Sequence, residues 1–183
     1  MKKQLLFIHS AGPQSEQQGS VDLIGYLANE LQDRYEFITP HMPYPEDPNY
    51  GQWKEKLSKV IEELDGEVIC IGHSLGGAVL LKYLSEETCP LTVTGLFNIA
   101  VPYWGLDNEW IYQDFELKGN YIERLPKIPE IYLYHSEFDP IVPYDHFLQY
   151  IKDFPQAKNR KLSGDSHLFQ DGIPQLISDL KKL

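Results

Sequence analysis

Three stretches of this 183-residue chain carry the residue types of nucleophilic chemistry, in chain order: Gly72-His73-Ser74-Leu75-Gly76-Gly77, then Ser136-Glu137-Phe138-Asp139-Pro140, then Gly164-Asp165-Ser166-His167-Leu168-Phe169. A serine hydroxyl is a poor nucleophile until a base takes its proton, and a neutral histidine does so only when a third group orients its ring. The pattern G-x-S-x-G around Ser74 is a weak signal by itself. With Gly near 7% of residues and Ser taken as similar, about one chain of this length in fifteen carries it by chance.

The setting of Ser74 strengthens the signal. The apolar block Val68-Ile69-Cys70-Ile71 leads into the motif, and Val79, Leu80, Tyr83 and Leu84 follow at helical spacing. A serine on a sharp strand-to-helix turn needs strained backbone angles, and Gly72 and Gly76 remove the Cβ atoms that would crowd such a turn. Gly77 permits close packing of the helix. The turn also places the serine at a helix N-terminus, whose free N–H groups favour a developing oxyanion.

On such a turn the acid and then the histidine follow the serine in the chain. Of six histidines, His135, His146 and His167 come after Ser74. His135 falls in a strand pattern and His146 in a helical one, whereas His167 lies in a glycine-containing loop, which makes it the candidate base. Asp139 is the candidate orienting acid, just beyond the carboxyl end of a strand pattern, where open α/β sheets place their ligands. Glu137 and Asp165 compete with it. Asp165 stands only two residues from His167, too near in sequence to point readily at its ring. His9 and His73 adjoin strand ends and read as structural histidines. Trp53 fits a helical apolar stripe and reads as core.

The elements that must hold these residues are legible as short, nearly continuous apolar runs at 4–9, 35–40, 67–72, 93–100 and 130–136, with a weaker one at 159–163. Such runs suit strands buried on both faces of a parallel sheet. Between them lie helical spacings at Leu23, Leu27 and Leu31, at Trp53, Leu57, Val60, Ile61 and Leu64, and at the run after Ser74. Two more come late, at Phe147, Tyr150 and Ile151 after Pro143, and at Ile173, Leu176, Ile177 and Leu180. Strand alternating with helix predicts a three-layer α/β sandwich in one domain spanning 1–183.

Two intervals break the rhythm. Residues 40–51 hold four prolines and read as an extended loop. Residues 101–129 are rich in aromatic side chains, which argues against disorder and predicts a short cap or loop segment over the site. Trp104 and Trp110 either pack this segment down or line an apolar pocket above Ser74; with Ser10 they are the candidate pocket residues.

Composition narrows the partners. A net charge of −11 argues against a nucleic-acid surface, and the patch Lys158, Arg160, Lys161 is too small to reverse it. The opening apolar run ends after five residues, short of the roughly 7 to 15 of a secretory leader or about 20 of a membrane span. A cytoplasmic protein without a membrane partner is expected. Cys70 and Cys89 lack the spacing of a metal site and read as reduced thiols, Cys70 as core packing.

Taken together, GHSLGG, SEFDPIVP and GDSHLF in that order resemble the α/β-hydrolase superfamily. The short length, PHMPYPEDPNYGQW and DPIVP before a helix resemble its small retinoblastoma-binding-protein serine hydrolase branch. The resemblance implies a minimal version of the fold, six strands in the order 2-1-3-4-5-6, lacking the two leading strands of the full superfamily. It implies Ser74 as nucleophile, His167 as base and Asp139 as its orienter, with the backbone N–H of Leu75 as one oxyanion donor. The second donor maps to Ala11, with Ser10 as the alternative, because Ser10 replaces the glycine of the commoner His-Gly opening. The expected activity is cleavage of a carboxylic ester, thioester or related acyl bond of a small substrate through an acyl-enzyme, without a cofactor. The rival expectation is a protein-binding module that keeps the fold with little or no turnover.

Overall fold

The computed structural model describes residues 2–15 and 18–183. One six-stranded parallel sheet runs through it in the order β2-β1-β3-β4-β5-β6. The strands are β1 (Lys3–Ile8), β2 (Tyr35–Ile38), β3 (Glu67–His73), β4 (Thr92–Ile99), β5 (Glu130–Ser136) and β6 (Lys158–Leu162). The helices are α1 (Val21–Leu31), α2 (Tyr50–Glu62), α3 (Leu75–Glu86), α4 (Tyr121–Arg124), α5 (Tyr144–Asp153) and α6 (Pro174–Leu180).

Alternate residues of each central strand supply two separate cores. Leu6, Ile8, Val68, Cys70, Leu96 and Leu133 pack with α2, α3 and α5 on one face. Leu5, Phe7, Ile69, Ile71, Phe97, Tyr132 and Tyr134 pack with α1 and α6 on the other. Covering both faces is what lets the strands be apolar at consecutive positions, and each fully buried large aliphatic or Phe side chain contributes about 1.5–3 kcal/mol. Helix α1 buries Leu23, Leu27 and Leu31, a stripe one turn apart. By contrast α3 is buried at every residue from Leu75 to Ser85, so the helix that follows Ser74 is held on all sides. Trp53 is fully buried, and its indole N–H donates to the Pro43 carbonyl.

Strand β6 is the least apolar because it lies at the sheet's edge. The basic patch on it is matched by carboxylates: Lys158 pairs with Glu130, Arg160 with Asp179 and Lys161 with Glu137.

The proline-rich stretch is irregular up to Asn49, whose side chain caps α2 by accepting from the Gln52 N–H. Its last two residues, Tyr50 and Gly51, already belong to that helix. The segment 101–129 is more ordered than a plain loop, with a single 3-10 turn at Gln113–Phe115 and the short α4. Phe115 and Tyr121 anchor it in the core. Hydrogen bonds from the Tyr112 hydroxyl to Pro48, from Tyr121 to Asp153 and from Arg124 to Ser85 tie it to its surroundings. Among the described residues, no helix is long and apolar enough to cross a membrane.

Candidate active site

Ser74 stands between the end of β3 and the start of α3 with φ 51° and ψ −124°. A serine in this region stores about 1–3 kcal/mol of backbone strain, which the surroundings must hold in place. They do so through the Ser74 N–H, bonded to the Ile99 carbonyl at 2.8 Å, and through its carbonyl, which accepts from the Gly77 N–H at 3.0 Å. Ser74 occupies the N-cap position of α3, yet its hydroxyl makes no capping bond. The side chain is therefore not spent on the helix.

The glycines act through close approach. A Cβ on Gly72 would stand 2.4 Å from the Gly77 Cα, and one on Gly77 would stand 2.2 Å from a Val101 methyl, so Gly72 clears the turn and Gly77 lets the helix approach Val101. A Cβ on Gly76 would meet not the turn, as expected from the sequence, but strand β1: it would lie 2.2 Å from the Ile8 carbonyl oxygen and 2.4 Å from that of His9. Gly76 thus lets the first turn of α3, including the Leu75 N–H, sit directly against the chain entering Ser10 and Ala11.

In that chain the Ser10 N–H donates to Ser20 Oγ at 2.9 Å, and the Gly12 N–H donates to the Pro45 carbonyl at 2.7 Å. The Ala11 N–H lies between two committed donors.

Asp139 and His167 meet. His167 Nδ1 is 2.7 Å from Asp139 Oδ2, with the carboxylate fully buried and the imidazole nearly so. The other carboxylate oxygen accepts from the Ile141 and Val142 N–H groups at 2.8 and 2.9 Å. Burial pushes the Asp139 carboxyl up, but the hydrogen bond and charge of His167 together with those two amides outweigh it and hold the group below its ordinary value. The acid turn and the histidine loop are also stitched by backbone: Glu137 N–H to Leu162, Phe138 N–H to Gly164, and Ser136 Oγ to the Ser166 carbonyl.

The competing residues have other partners. Glu137 pairs with Lys161 at the surface, and Asp165 is exposed. His135 donates Nε2–H to the Val142 carbonyl, and burial lowers its pKa, so its 3.8 Å approach to Asp139 is a contact of a neutral ring rather than an ion pair. His146 accepts the Tyr103 N–H at Nδ1. His73 has both ring nitrogens bonded, to Ser20 Oγ at 2.9 Å and to the His167 carbonyl at 2.8 Å, and its ring lies 5.2 Å from that of His167. His9 is buried with no partner for Nδ1 among the described residues.

Trp104 and Trp110 pack against each other, ring centroids 5.3 Å apart. Trp104 also contacts Tyr112 and Phe115, and Trp110 meets His146 edge-on at 4.6 Å. No group of three or more metal-ligating side chains exists among the described residues. Ser20 is the member of this neighbourhood that the sequence did not reveal. Ser20 stands at the N-cap position of α1, but its hydroxyl makes no cap bond.

A parallel 2-1-3-4-5-6 sheet with a strained serine between β3 and α3 and an acid–histidine pair after β5 and β6 defines an α/β-hydrolase fold. The chain matches the serine hydrolase family over residues 26–172 and belongs to that family. Comparison with curated protein sequences gives no match. Among solved structures it is similar to the ydeN gene product of B. subtilis, at 19% identity with a TM-score of 0.81, covering 99% of this chain and 98% of that one. It is also similar to Est1E from Butyrivibrio proteoclasticus, at 17% identity and TM-score 0.69, covering 99% and 86%. A meta-cleavage product hydrolase from Pseudomonas fluorescens IP01 superposes with TM-score 0.73 at 11% identity, covering 98% and 88%. At these identities the structural likeness speaks to the fold.

Proposed function

We propose that the protein hydrolyses small carboxylic esters, thioesters or related acyl compounds through an acyl-enzyme on Ser74. The observation that carries this reading is the buried Asp139–His167 hydrogen bond, together with a strained serine whose hydroxyl is not used to cap its helix. His167 Nε2 takes the Ser74 proton as Oγ attacks the acyl carbon. Asp139 keeps the proton on Nδ1 and stabilises the imidazolium that forms.

The N–H groups of Leu75 and Ala11 receive the oxyanion, a role left to Ala11 because Ser10 gives its own N–H to Ser20. His167 then protonates the leaving alkoxide or thiolate. Water, deprotonated by the same histidine, releases the acid.

In this reading segment 101–129 serves as the cap, with Trp104 and Trp110, packed on each other, as the proposed apolar wall of the pocket. Support comes from exposed apolar side chains on the loops leaving the carboxyl ends of β2, β4 and β5, namely Tyr44, Ile111, Phe138 and Ile141. Exposed apolar side chains on loops that leave the carboxyl ends of the strands suit an apolar substrate.

The test is covalent labelling by a fluorophosphonate probe. Wild type is expected to label and Ser74→Ala is not, with the adduct mapped to Ser74. A folded wild-type protein that does not label overturns the reading.

A further inference from the structure

His73 precedes Ser74, is fully buried, and takes no part in the reaction outlined above. Its two hydrogen bonds fix its protonation. The partner of Nε2 is a carbonyl, which only accepts, so Nε2 carries the proton. Burial, followed by the neighbouring His167, lowers its pKa to about 3, so the ring is neutral and Nδ1 accepts. Ser20 Oγ–H therefore donates to Nδ1.

With that proton committed, Ser20 Oγ can only accept from its other neighbours, which are the Ser10 N–H at 2.9 Å and the Ser10 hydroxyl at 3.2 Å. A single directed chain results: Ser10 to Ser20 to His73 to the carbonyl of His167. It joins the loop after β1, which carries Ala11, to the loop after β6, which carries the base. The fixed point between them is the residue adjacent to the nucleophile.

We infer that His73 is a positioning residue, which holds the backbone of His167 from the nucleophile's own strand and, through Ser20, holds the loop that carries the Ala11 N–H. The inference rests on the hydrolase reading above. Side-chain bonds to Asp139 fix the tautomer of the base, and Ser136 Oγ holds the carbonyl of the preceding Ser166, but these leave the carbonyl of His167 itself free to turn. The His73 Nε2–H to carbonyl bond removes that freedom. Misplacement of a reacting group by about 1 Å costs on the order of 100-fold in rate.

Two carboxamides separate the halves of the imidazole. In His73→Asn the amide reaches only as far as Nδ1, so it can meet Ser20 and not the His167 carbonyl. In His73→Gln an N–H stands where Nε2 was. The measurements are the fluorophosphonate labelling rate, kcat and KM on a chromogenic ester, thermal unfolding, and the far-downfield proton resonance of the His167 Nδ1–H···Asp139 bond, which needs no substrate.

His73→Asn is expected to lose about 10- to 100-fold in kcat and labelling rate with KM unchanged, and to shift or broaden the downfield resonance. His73→Gln is expected to recover most of each. Equal losses in both variants, or an Asn variant that labels at the wild-type rate with the resonance in place, overturn the inference. If His73→Asn does not fold, Ser20→Ala reads the same chain: a slower labelling rate supports it, and wild-type labelling with an unmoved resonance overturns it. Wild type that fails to label overturns the parent reading as well, so the two failures are distinguishable.

Discussion

His167 Nδ1 donates to Asp139 Oδ2 at 2.7 Å, while two backbone amides hold the other carboxylate oxygen. The carboxylate therefore cannot rotate away without losing three bonds. Asp139→Asn keeps the shape and can turn an N–H toward the ring, which favours the wrong tautomer of His167. A loss of about 10⁴-fold in kcat is expected, with KM little changed. Steady-state kinetics on a chromogenic ester checks this, with a loss under tenfold counting against Asp139 as the orienting acid.

The Ala11 N–H, between the committed donors of Ser10 and Gly12, has no partner among the described residues. Ala11→Pro deletes that N–H, while also fixing φ there and restricting Ser10, and is expected to cost about 10²–10³-fold in kcat. Thermal unfolding close to wild type separates this from loss of fold. If activity survives, the second oxyanion donor lies elsewhere.

Much of this arrangement was legible in the sequence because β3, β4 and β5 are buried on both faces, which makes them read as continuous apolar runs. Edge strand β6 read weakly for the opposite reason, since its outward residues are charged. The 3-10 turn and α4 span fewer than two helical turns each, too short for any periodicity to register. Asp139 and His167 could be placed from the serine–acid–histidine order together with their positions in loops after strand ends. Ser20 could not, because its use depends on a hydrogen bond to a residue 53 positions away.

Gly76 shows a second contact that spacing alone did not disclose. Its hydrogen points at two carbonyl oxygens of the β1 chain, and backbone on both sides leaves nothing flexible to yield. Gly76→Ala is expected to destabilise the protein by about 3 kcal/mol or more. Urea unfolding checks this, and a variant as stable as wild type would mean that α3 can back away from β1.

Asp179 ties α6 to strands β5 and β6. It is almost fully buried, accepts the Tyr134 hydroxyl at 2.9 Å, and takes a two-pronged bond from Arg160 at 2.8 and 3.0 Å. Burial pushes its carboxyl up, but the bonds from Arg160, Lys182 and Tyr134 overcome this and bring it to about 2. Asp179→Ala strands a buried phenol and a cation that keeps some access to water, so a loss of about 2–3 kcal/mol is expected. Because its hydrogen-bond partners Tyr134, Arg160 and Lys182 are not residues of the site, labelling by fluorophosphonate below the melting temperature is expected to persist. A variant that stays fully stable yet no longer labels would contradict the separation of this network from the site.

Acid should weaken the fold through its buried histidines. Burial, then the nearby His41, lowers the pKa of His9 from 6.5 to about 4, and His73 falls to about 3. Between pH 6.5 and these values the unfolded chain binds protons that the native one refuses, so stability rises with pH across that window and is complete above 6.5. Each such histidine contributes a slope of at most about 1.4 kcal/mol per pH unit. Asp139 acts in the same direction at lower pH, its depressed pKa withdrawing stability as the carboxylate is protonated. Urea titrations at a series of pH values should therefore show unfolding free energy level above pH 7 and falling from 6.5 toward 4. His73→Gln should make that fall shallower by one proton's worth. Stability that stays flat from pH 7 to pH 5 in wild type would mean that the buried rings are protonated in the native state, which would also break the donor order from Ser20 to His73.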